Sequence, residues 1–406
     1  MHELSPSQGP GIGGGDMHLP TNKLKNISRT GIRKIFDKAK AYEREGRKII
    51  HMEIGRPDFD TPHVIKEEAV RSLREGNVHY TSNYGMEELK EAIAEKLKED
   101  NGLEVDPERE ILVTAGAVEG SALSMMSLLD AGEEVLIPSP AYSSYHNQAL
   151  HPGGVPVAVP LRRENAFKPL LCDLEARVTS KTKMLVLNTP HNPTGAVYER
   201  AVLEDMAAFA QKHDLLVLSD ECYEDFVYEG EHVSIAGLPG MKERTITVNS
   251  TSKAFSMTGW RVGFVSAAAE IIEYMIRIHQ DLVICPCSFA QAGAALAYRR
   301  RKEIIPPMMA SFARRRNLVI ERLDRMEGID YMRPAGGFYV FPSIQNFGLG
   351  DWEFCDYLMD EAGVAVVPGS SFGSSGEGFI RMAYSCSLED LEAALSAMQQ
   401  ALKKLS

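Results

Sequence analysis

Long hydrophobic runs are missing from this 406-residue chain. The longest, such as "LLVLS" and "MLVL", are strand-sized and far short of the roughly 20 residues a membrane helix needs. No membrane partner is expected. A basic surplus is missing too. Lys and Arg number 44 against 56 Asp and Glu, a formal charge of −12. That balance argues against a nucleic-acid or anionic-membrane surface, yet permits a local basic pocket. Cysteine is scarce and scattered, at Cys172, Cys222, Cys285, Cys287, Cys355 and Cys386, with no C-x-x-C pair, and no H-E-x-x-H occurs. Neither a metal site nor a disulfide framework is expected. Reduced thiols in a cytoplasmic protein are the expectation. The opening "MHELSPSQGPGIGGGD" has neither the apolar run of a signal peptide nor the arginine-rich character of a transit peptide. Residues 1–20 read as a disordered leader.

What is present describes an ordinary globular enzyme, with 44% hydrophobic and 25% charged residues. Its length favours two domains, or one large and one small unit, over a single core. Helical spacing runs from Ile32 to Arg47, with Ile32, Ile35, Phe36 and Ala39 on one face. "KIIHMEIG" reads as a strand. Helices follow in "PHVIKEEAVRSLREG", with Pro62 near its first turn, and in "MEELKEAIAEKLKEDNG", closed by Asn101-Gly102. Short apolar strands then alternate with helices: "EILVTAG", "EEVLIP", "GVPVAVP", "KMLVLN", "LLVLSD", "RTITVNS" and "GWRVGFVSA". Such alternation predicts an α/β fold, with a mostly parallel seven-stranded sheet between helices. After about residue 300 the pattern changes to a smaller α+β unit. Residues 21–62 and 301–406 are assigned to it, and 63–300 to the large unit.

Three short patterns are set aside. "GPGIGGG" contains G-x-G-x-x-G, but no strand precedes it and no helix follows. "GSSFG", Gly369 to Gly373, fits the nucleophile elbow, but the helix expected after it is absent. "STSK", Ser250 to Lys253, fits the S-x-x-K of serine acyl-enzymes, but the S-D-N and K-T-G elements of that family do not occur.

The chemistry gathers at carboxyl ends of expected strands, where open α/β sheets bind ligands. "NTPHNPTG" exposes Asn192 after "KMLVLN". Asp220 ends "LLVLSD", with Tyr223 three residues on. Lys253 follows "RTITVNS". "TAGAVEG" is a strand–turn–helix junction of small residues, suited to a phosphate at a helix N-terminus. An amine, a carboxylate, a phenol, an amide and a phosphate cradle converge. Each alone has an ordinary structural explanation, but together they meet the demands of pyridoxal phosphate. That cofactor needs a Schiff-base lysine, a carboxylate at its ring nitrogen, donors on its ring oxygen and a phosphate cup.

From about Ile27 to the end, the chain resembles the class I/II aminotransferases of the fold-type I pyridoxal-phosphate enzymes, in particular the prokaryotic aspartate/aromatic subgroup. "GRPDFDTP", "HYTSNYGMEELKEAI", "HNPTGAVY", "SDECYE", "SKAFSMTGWRVGF", "GGFYVFP", "VAVVPGSSFG" and "IRMAYS" carry the resemblance, in order and spacing. It implies that Lys253 holds the cofactor and then moves the substrate proton, and that Asp220 pairs with the ring nitrogen. Asn192 and Tyr223 would bond the ring oxygen, and Tyr142 would stack on the ring. Ser250, Ser252, Arg261 and the backbone of Gly116, Ala117 and Val118 would hold the phosphate. Tyr80 would reach a phosphate in another subunit, implying a homodimer with shared sites. Arg381, aided by the backbone at Gly55, would clamp the substrate α-carboxylate. Ile32, Tyr80 and Tyr142 would form the mouth.

Two departures bear on substrate. Relatives that prefer acidic substrates carry a lysine where Val118 stands, so neutral or aromatic amino donors are expected over aspartate, with 2-oxoglutarate as an acceptor by resemblance. Arg56 stands where many relatives have glutamate, and is either an extra anion contact or a surface charge. The alternatives on the same scaffold are a β-lyase, decarboxylase or oxidase. A cofactor-binding regulator without turnover is the alternative from another class.

Overall fold

The computed structural model describes Ile27 and residues 31–405. The expected leader and its glycine-rich pattern lie outside the described residues. The described chain runs through α1 (Gly31–Arg44), β1 (Ile50–His51), α2 (His63–Arg74), α3 (Glu87–Asn101), β2 (Ile111–Thr114), α4 (Ala117–Leu128), β3 (Glu134–Ser139), α5 (Ser144–Leu150) and β4 (Val155–Pro160). It continues through α6 (Leu171–Glu175), β5 (Thr182–Asn188), α7 (Arg200–Lys212), β6 (Leu216–Asp220), β7 (Thr245–Ser250), β8 (Gly263–Ser266), α8 (Ala269–Leu282), α9 (Ser288–Arg299) and α10 (Arg301–Leu323). The last elements are β9 (Tyr339–Val340), α11 (Asp351–Glu361), β10 (Val364–Ala365), β11 (Val367–Pro368), β12 (Ile380–Ala383) and α12 (Leu388–Leu402).

The seven apolar segments expected as strands form one sheet, in the order β2-β8-β7-β6-β5-β3-β4. Only β8 runs antiparallel to its neighbours, β2 and β7. The central strands are buried on both faces, so they read as apolar runs. Alternation still operates within them. On β5, Leu185 and Leu187 enter a core with Leu203, Met206 and Phe209 of α7. Met184 and Val186 enter the opposite core, with Leu123 of α4 and Ile272 and Met275 of α8. The two-residue period of the strand thus fixes which helix layer each side chain meets.

A third core joins Ile35 and Ala39 of α1, Met52, Phe312 and Val319 of α10, Phe338, Leu358 of α11 and Leu395 of α12. Here β11, β12 and β9 form an antiparallel sheet, while Ile50 and His51 pair in parallel with Val364 and Ala365. Helix ends follow local chemistry. Pro62 caps α2, where its missing N–H costs nothing, and Gly102 at φ 64° ends α3 in the left-handed conformation.

Some expectations were too long or too short. The α1 helix stops at Arg44, and Gly46 at φ 88° turns the chain. "KIIHMEIG" pairs only at Ile50 and His51, because the facing strand is equally short. Beyond residue 300, where a change of pattern was expected, α10 starts at Arg301 and runs through Pro306 and Pro307. After β11, "GSSFG" forms a short 3-10 turn rather than entering an α-helix. Among the described residues no helix is long and apolar enough to cross a membrane.

Candidate active site

Strand ends meet at the carboxyl edge of the sheet. Asn188 closes β5, Asp220 closes β6, Ser250 closes β7, and Thr114 of β2 leads to Gly116 at the start of α4. A cavity of about 330 Å³ opens over them, lined by Ile32, Gly55, Ala117, Val118, Tyr142, Asn192, Asp220, Tyr223, Ser250, Ser252, Lys253, Arg261 and Arg381. Of the residues singled out from the sequence, Gly116 and Tyr80 do not line it. Gly116 lies directly beneath Arg261. Tyr80 is 80% exposed. Arg56 is exposed and outside the cavity, whereas Arg33, which the sequence did not single out, lines its mouth. A neighbouring cavity of about 440 Å³ shares the Tyr142 wall but is lined by no carboxylate.

Asp220 is held from two sides. Tyr145 Oη donates to Oδ2 at 2.5 Å and the Cys222 N–H donates to Oδ1 at 3.1 Å. Burial pushes the carboxyl pKa up, while Tyr145, Cys222 and the nearby Lys253 charge oppose that shift. A desolvated carboxylate of this kind is stabilised by a cation placed against it. Lys253 opens onto the cavity but is enclosed by protein. Burial, aided by the Arg381 and Arg261 charges, brings its pKa down to about 8, against opposition from Cys222 and Asp220. Its Nζ donates to Gly55 O at 2.6 Å. No hydrogen bond joins Lys253 to Ser250, as an S-x-x-K acyl-enzyme would need.

Arg381 is almost fully buried, between the Tyr339 ring at 4.6 Å and the Phe372 ring at 4.9 Å. Nη1 donates to Asn192 Oδ1 at 3.1 Å, Nη2 donates to Glu53 O, and Nε has no acceptor. Tyr223 and Tyr339 share a hydroxyl–hydroxyl bond of 2.7 Å. Burial pushes the Tyr223 phenol well above its ordinary range, so it stays a donor at neutral pH.

At the start of α4, Gly116 adopts φ 90°. A Cβ there would fall 2.3 Å from Arg261 Nη2, so only glycine lets the guanidinium lie against the helix N-terminus. Arg261 itself sits at φ 57° and donates to Ala115 O at 2.9 Å and Thr258 O at 3.1 Å. Ser250 and Ser252 are buried beside it.

Residues 47–398 match the family described as aminotransferase class I and II. The chain belongs to that family. It is similar to the aromatic-amino-acid aminotransferase 2 of Thermococcus litoralis, 46% identical over 387 residues, or 95% of this chain and 98% of the relative. The aspartate aminotransferase of Pyrococcus abyssi is 46% identical over the same share of each chain. The solved aromatic aminotransferase of Pyrococcus horikoshii OT3 superposes with a TM-score of 0.87 at 46% identity, covering 91% of this chain and 100% of that one. The protein is therefore an aminotransferase of fold-type I, and its cofactor is pyridoxal phosphate.

The residues present fit that group. The cavity is lined by Arg33, Lys253, Arg261 and Arg381 against the single carboxylate of Asp220, in a chain whose overall charge is −12. A local cationic surplus suits a phosphate and a substrate carboxylate. The helix N-terminus at Ala117, cleared by the missing side chain of Gly116, adds unpaired N–H groups. Arg381 Nε is a buried donor awaiting an acceptor.

Sequence reasoning missed Tyr145, Tyr339, Cys222 and Arg33. Cys222 and Tyr339 sit in the quoted stretches "SDECYE" and "GGFYVFP", but nothing local marks which distant group each of the four meets. Among the described residues, Glu221, Glu224 and His232 have metal-like spacing. The Lys96 ammonium and the Asn101 amide already bond those carboxylates, so that place is filled by the chain's own cation.

Proposed function

We propose that this aminotransferase exchanges an amino group between an L-amino acid and a 2-oxo acid in two half-reactions, with Lys253 as amine and base. The observation that carries this reading is one cavity lined by both the enclosed Lys253 amine and the Asp220 carboxylate, where burial lowers the amine pKa to about 8. Pyridoxal phosphate, when bound, supplies a carbonyl carbon for amine exchange and a conjugated electron sink. At pH 7 about a tenth of such an amine is unprotonated, against roughly one part in three thousand for an ordinary lysine. Lys253 Nζ would therefore hold the group at its carbonyl carbon, with the carbonyl oxygen leaving as water, and, once freed by the incoming amine, would accept the proton from the substrate Cα.

The other roles follow from position. Asp220, fixed by Tyr145 and the Cys222 N–H, keeps a ring nitrogen cationic. Asn192 and Tyr223 orient the ring oxygen, and Tyr142 covers a ring face. Gly116, Ala117 and Val118 offer backbone donors to a phosphate, with Ser250, Ser252 and Arg261 closing the cup. Arg381 binds the substrate α-carboxylate, and the Tyr339 and Phe372 rings keep water from it, which strengthens the bond. Residues 63–300 hold the cofactor in this reading, and the described residues of the smaller unit add Arg33, Gly55, Tyr339 and Arg381 to the same cavity.

Neutral or aromatic donors are preferred over aspartate. The relatives above are named for both substrate classes, so likeness does not choose between them. The wall formed by Ile32, Phe36, Val118 and Tyr142 supports the apolar choice. An unpaired carboxylate against it would cost several kcal/mol. Family likeness supports 2-oxoglutarate as the acceptor. Arg33, with no carboxylate partner among the described residues, lines the mouth of the same cavity beside the Phe36 ring.

The working unit is a homodimer with shared sites. Tyr80 stands outside its own cavity, and Leu73, Val78, Leu282 and Ile284 are exposed large apolar side chains in the same two stretches of sequence. Ser288 Oγ donates to Asn77 O at 2.6 Å, which holds those stretches together.

Incubation with an amino acid alone tests the function. Transfer of one amino group per site, reversed by a 2-oxo acid, is the expected result. Continuous release of ammonia or pyruvate without an acceptor would instead show a lyase or oxidase.

A further inference from the structure

The buried Arg381 guanidinium has only neutral oxygens as direct partners, Asn192 Oδ1 and the backbone carbonyl of Glu53. Removing a cation from water without a counter-charge is costly. Burial lowers the Arg381 pKa, and the Tyr339 and Tyr223 phenols and then the carboxylate of Glu53, the same residue whose carbonyl it touches, oppose that shift. The Glu53 side chain is fully buried. Its Oε1 lies 2.7 Å from His51 Nδ1, and its Oε2 has no partner. The other nitrogen, His51 Nε2, lies 3.0 Å from Glu43 Oε1 on α1, and Glu43 in turn pairs with Lys40 at 2.7 Å. His51 is about a quarter exposed. A half-buried histidine therefore bonds the buried carboxylate of the residue whose backbone carbonyl holds the cation assigned to the substrate.

We propose that Glu53 and His51 are positioning residues for substrate binding: Glu53 is the counter-ion that Arg381 shares between its own chain and the substrate α-carboxylate, and His51 sets how much of that counter-charge Arg381 feels. The proposal rests on the reading of Arg381 as the α-carboxylate clamp.

The direction follows from electrostatics. With His51 protonated, the Glu53 charge is compensated on its outer side, so Arg381 presents a stronger field to an incoming carboxylate. With His51 neutral, Glu53 competes with that carboxylate and binding weakens. Linkage requires the reverse effect as well. A bound carboxylate neutralises Arg381, frees Glu53 to hold a proton on His51, and raises the histidine pKa by the logarithm of the same factor.

Among the described residues, Glu43 and Lys40 of α1 face this pair, the Phe36 ring lies 6.1 Å from the His51 ring, and β10 contributes Val364 and Ala365. Arg381 of β12 is faced in turn by the Tyr339 and Tyr223 phenols and by the Lys253 amine, whose own titration near 8 stays in the His51→Gln profile and so is separated from the His51 step. The hydrogen bond to Glu53 already raises the His51 pKa, against burial and with help from Glu43. The transition therefore falls above the ordinary 6.5 of histidine.

The test uses the cofactor-loaded enzyme and 3-phenylpropanoate, a carboxylate that binds without an amine to react. Its Kd is measured by calorimetry from about pH 6 to about pH 9, the span in which a histidine titrates. In the unmodified enzyme the Kd should rise through a step of about threefold or more. His51→Gln and Glu53→Gln, which keep shape and hydrogen-bonding capacity, should both flatten that step. By NMR, the His51 pKa should rise on adding the ligand. A His51→Gln profile that superposes on the unmodified one overturns the proposal. Arg381→Lys separates the two readings. If it leaves the Kd unchanged, the clamp itself is wrong. If it weakens binding while His51→Gln leaves the step intact, only the Glu53–His51 proposal fails.

Discussion

Tyr145 Oη lies 2.5 Å from Asp220 Oδ2, and both side chains are buried. The helix that carries the tyrosine, α5, follows β3, while the aspartate ends β6. Burial lifts the phenol pKa well above its ordinary range, and the Asp220 charge lifts it further, so the tyrosine remains a donor. Hydrogen bonds to charged groups are worth about 1.5–3 kcal/mol. Tyr145→Phe removes the donor and should favour the neutral carboxyl form of Asp220. The proton-abstraction step should slow about 10- to 100-fold while the cofactor stays bound through its phosphate. Single-turnover rates beside cofactor titration check this, and equal losses of binding and rate would point to a merely structural tyrosine.

Shared sites make a subunit-mixing prediction. Tyr80→Phe and Lys253→Ala proteins, each impaired alone, should regain activity when their subunits are exchanged, because some hybrid sites then hold both groups. Activity equal to the sum of the separate proteins would speak against it, as would a fully active monomer in sedimentation.

Substrate choice turns on Val118, which lines the cavity and is 45% exposed. Burial against this wall should give an apolar side chain about 1.5–3 kcal/mol. The kcat/KM for phenylalanine should exceed that for aspartate, and Val118→Lys should narrow or invert the ratio by supplying a cation. An aspartate value about tenfold above phenylalanine in the unmodified enzyme would show the pocket reading to be mistaken.

His51 predicts a pH-dependent contribution to stability. Its bond to Glu53 is the leading cause of a folded pKa above the ordinary value of 6.5. The stabilisation is therefore fully present below the unfolded value and is lost as pH rises through the folded one. His51→Gln should lower the Tm at about pH 5.5 and leave it nearly unchanged at about pH 9. A deficit that grows with pH would reverse the sign.

The sheet was legible because its buried strands are short apolar runs between turn residues, and Asp220 and Lys253 were legible because each stands where such a run ends. Partners reached only through folding were not. Tyr145 lies 75 residues from Asp220 in sequence, and Tyr339 lies 116 from Tyr223. Nothing in "AYSSY" or "GGFYVFP" says which side chain each will meet. Arg56 drew attention because it follows Gly55. Yet its side chain points to solvent, and Arg33, on the first turn of α1, supplies the cation at the mouth. The proline pair at Pro306 and Pro307 hid the first turns of α10, since two lost N–H donors ordinarily end a helix.

The central claim is that Lys253 moves the substrate proton. It is tested most directly by the amino-transfer half-reaction of Lys253→Ala, loaded with cofactor and mixed rapidly with phenylalanine. Loss of a positioned base should slow that step by at least about 10²–10⁴-fold, and borohydride should no longer fix the cofactor to the chain. A half-reaction rate close to that of the unmodified enzyme would contradict the account.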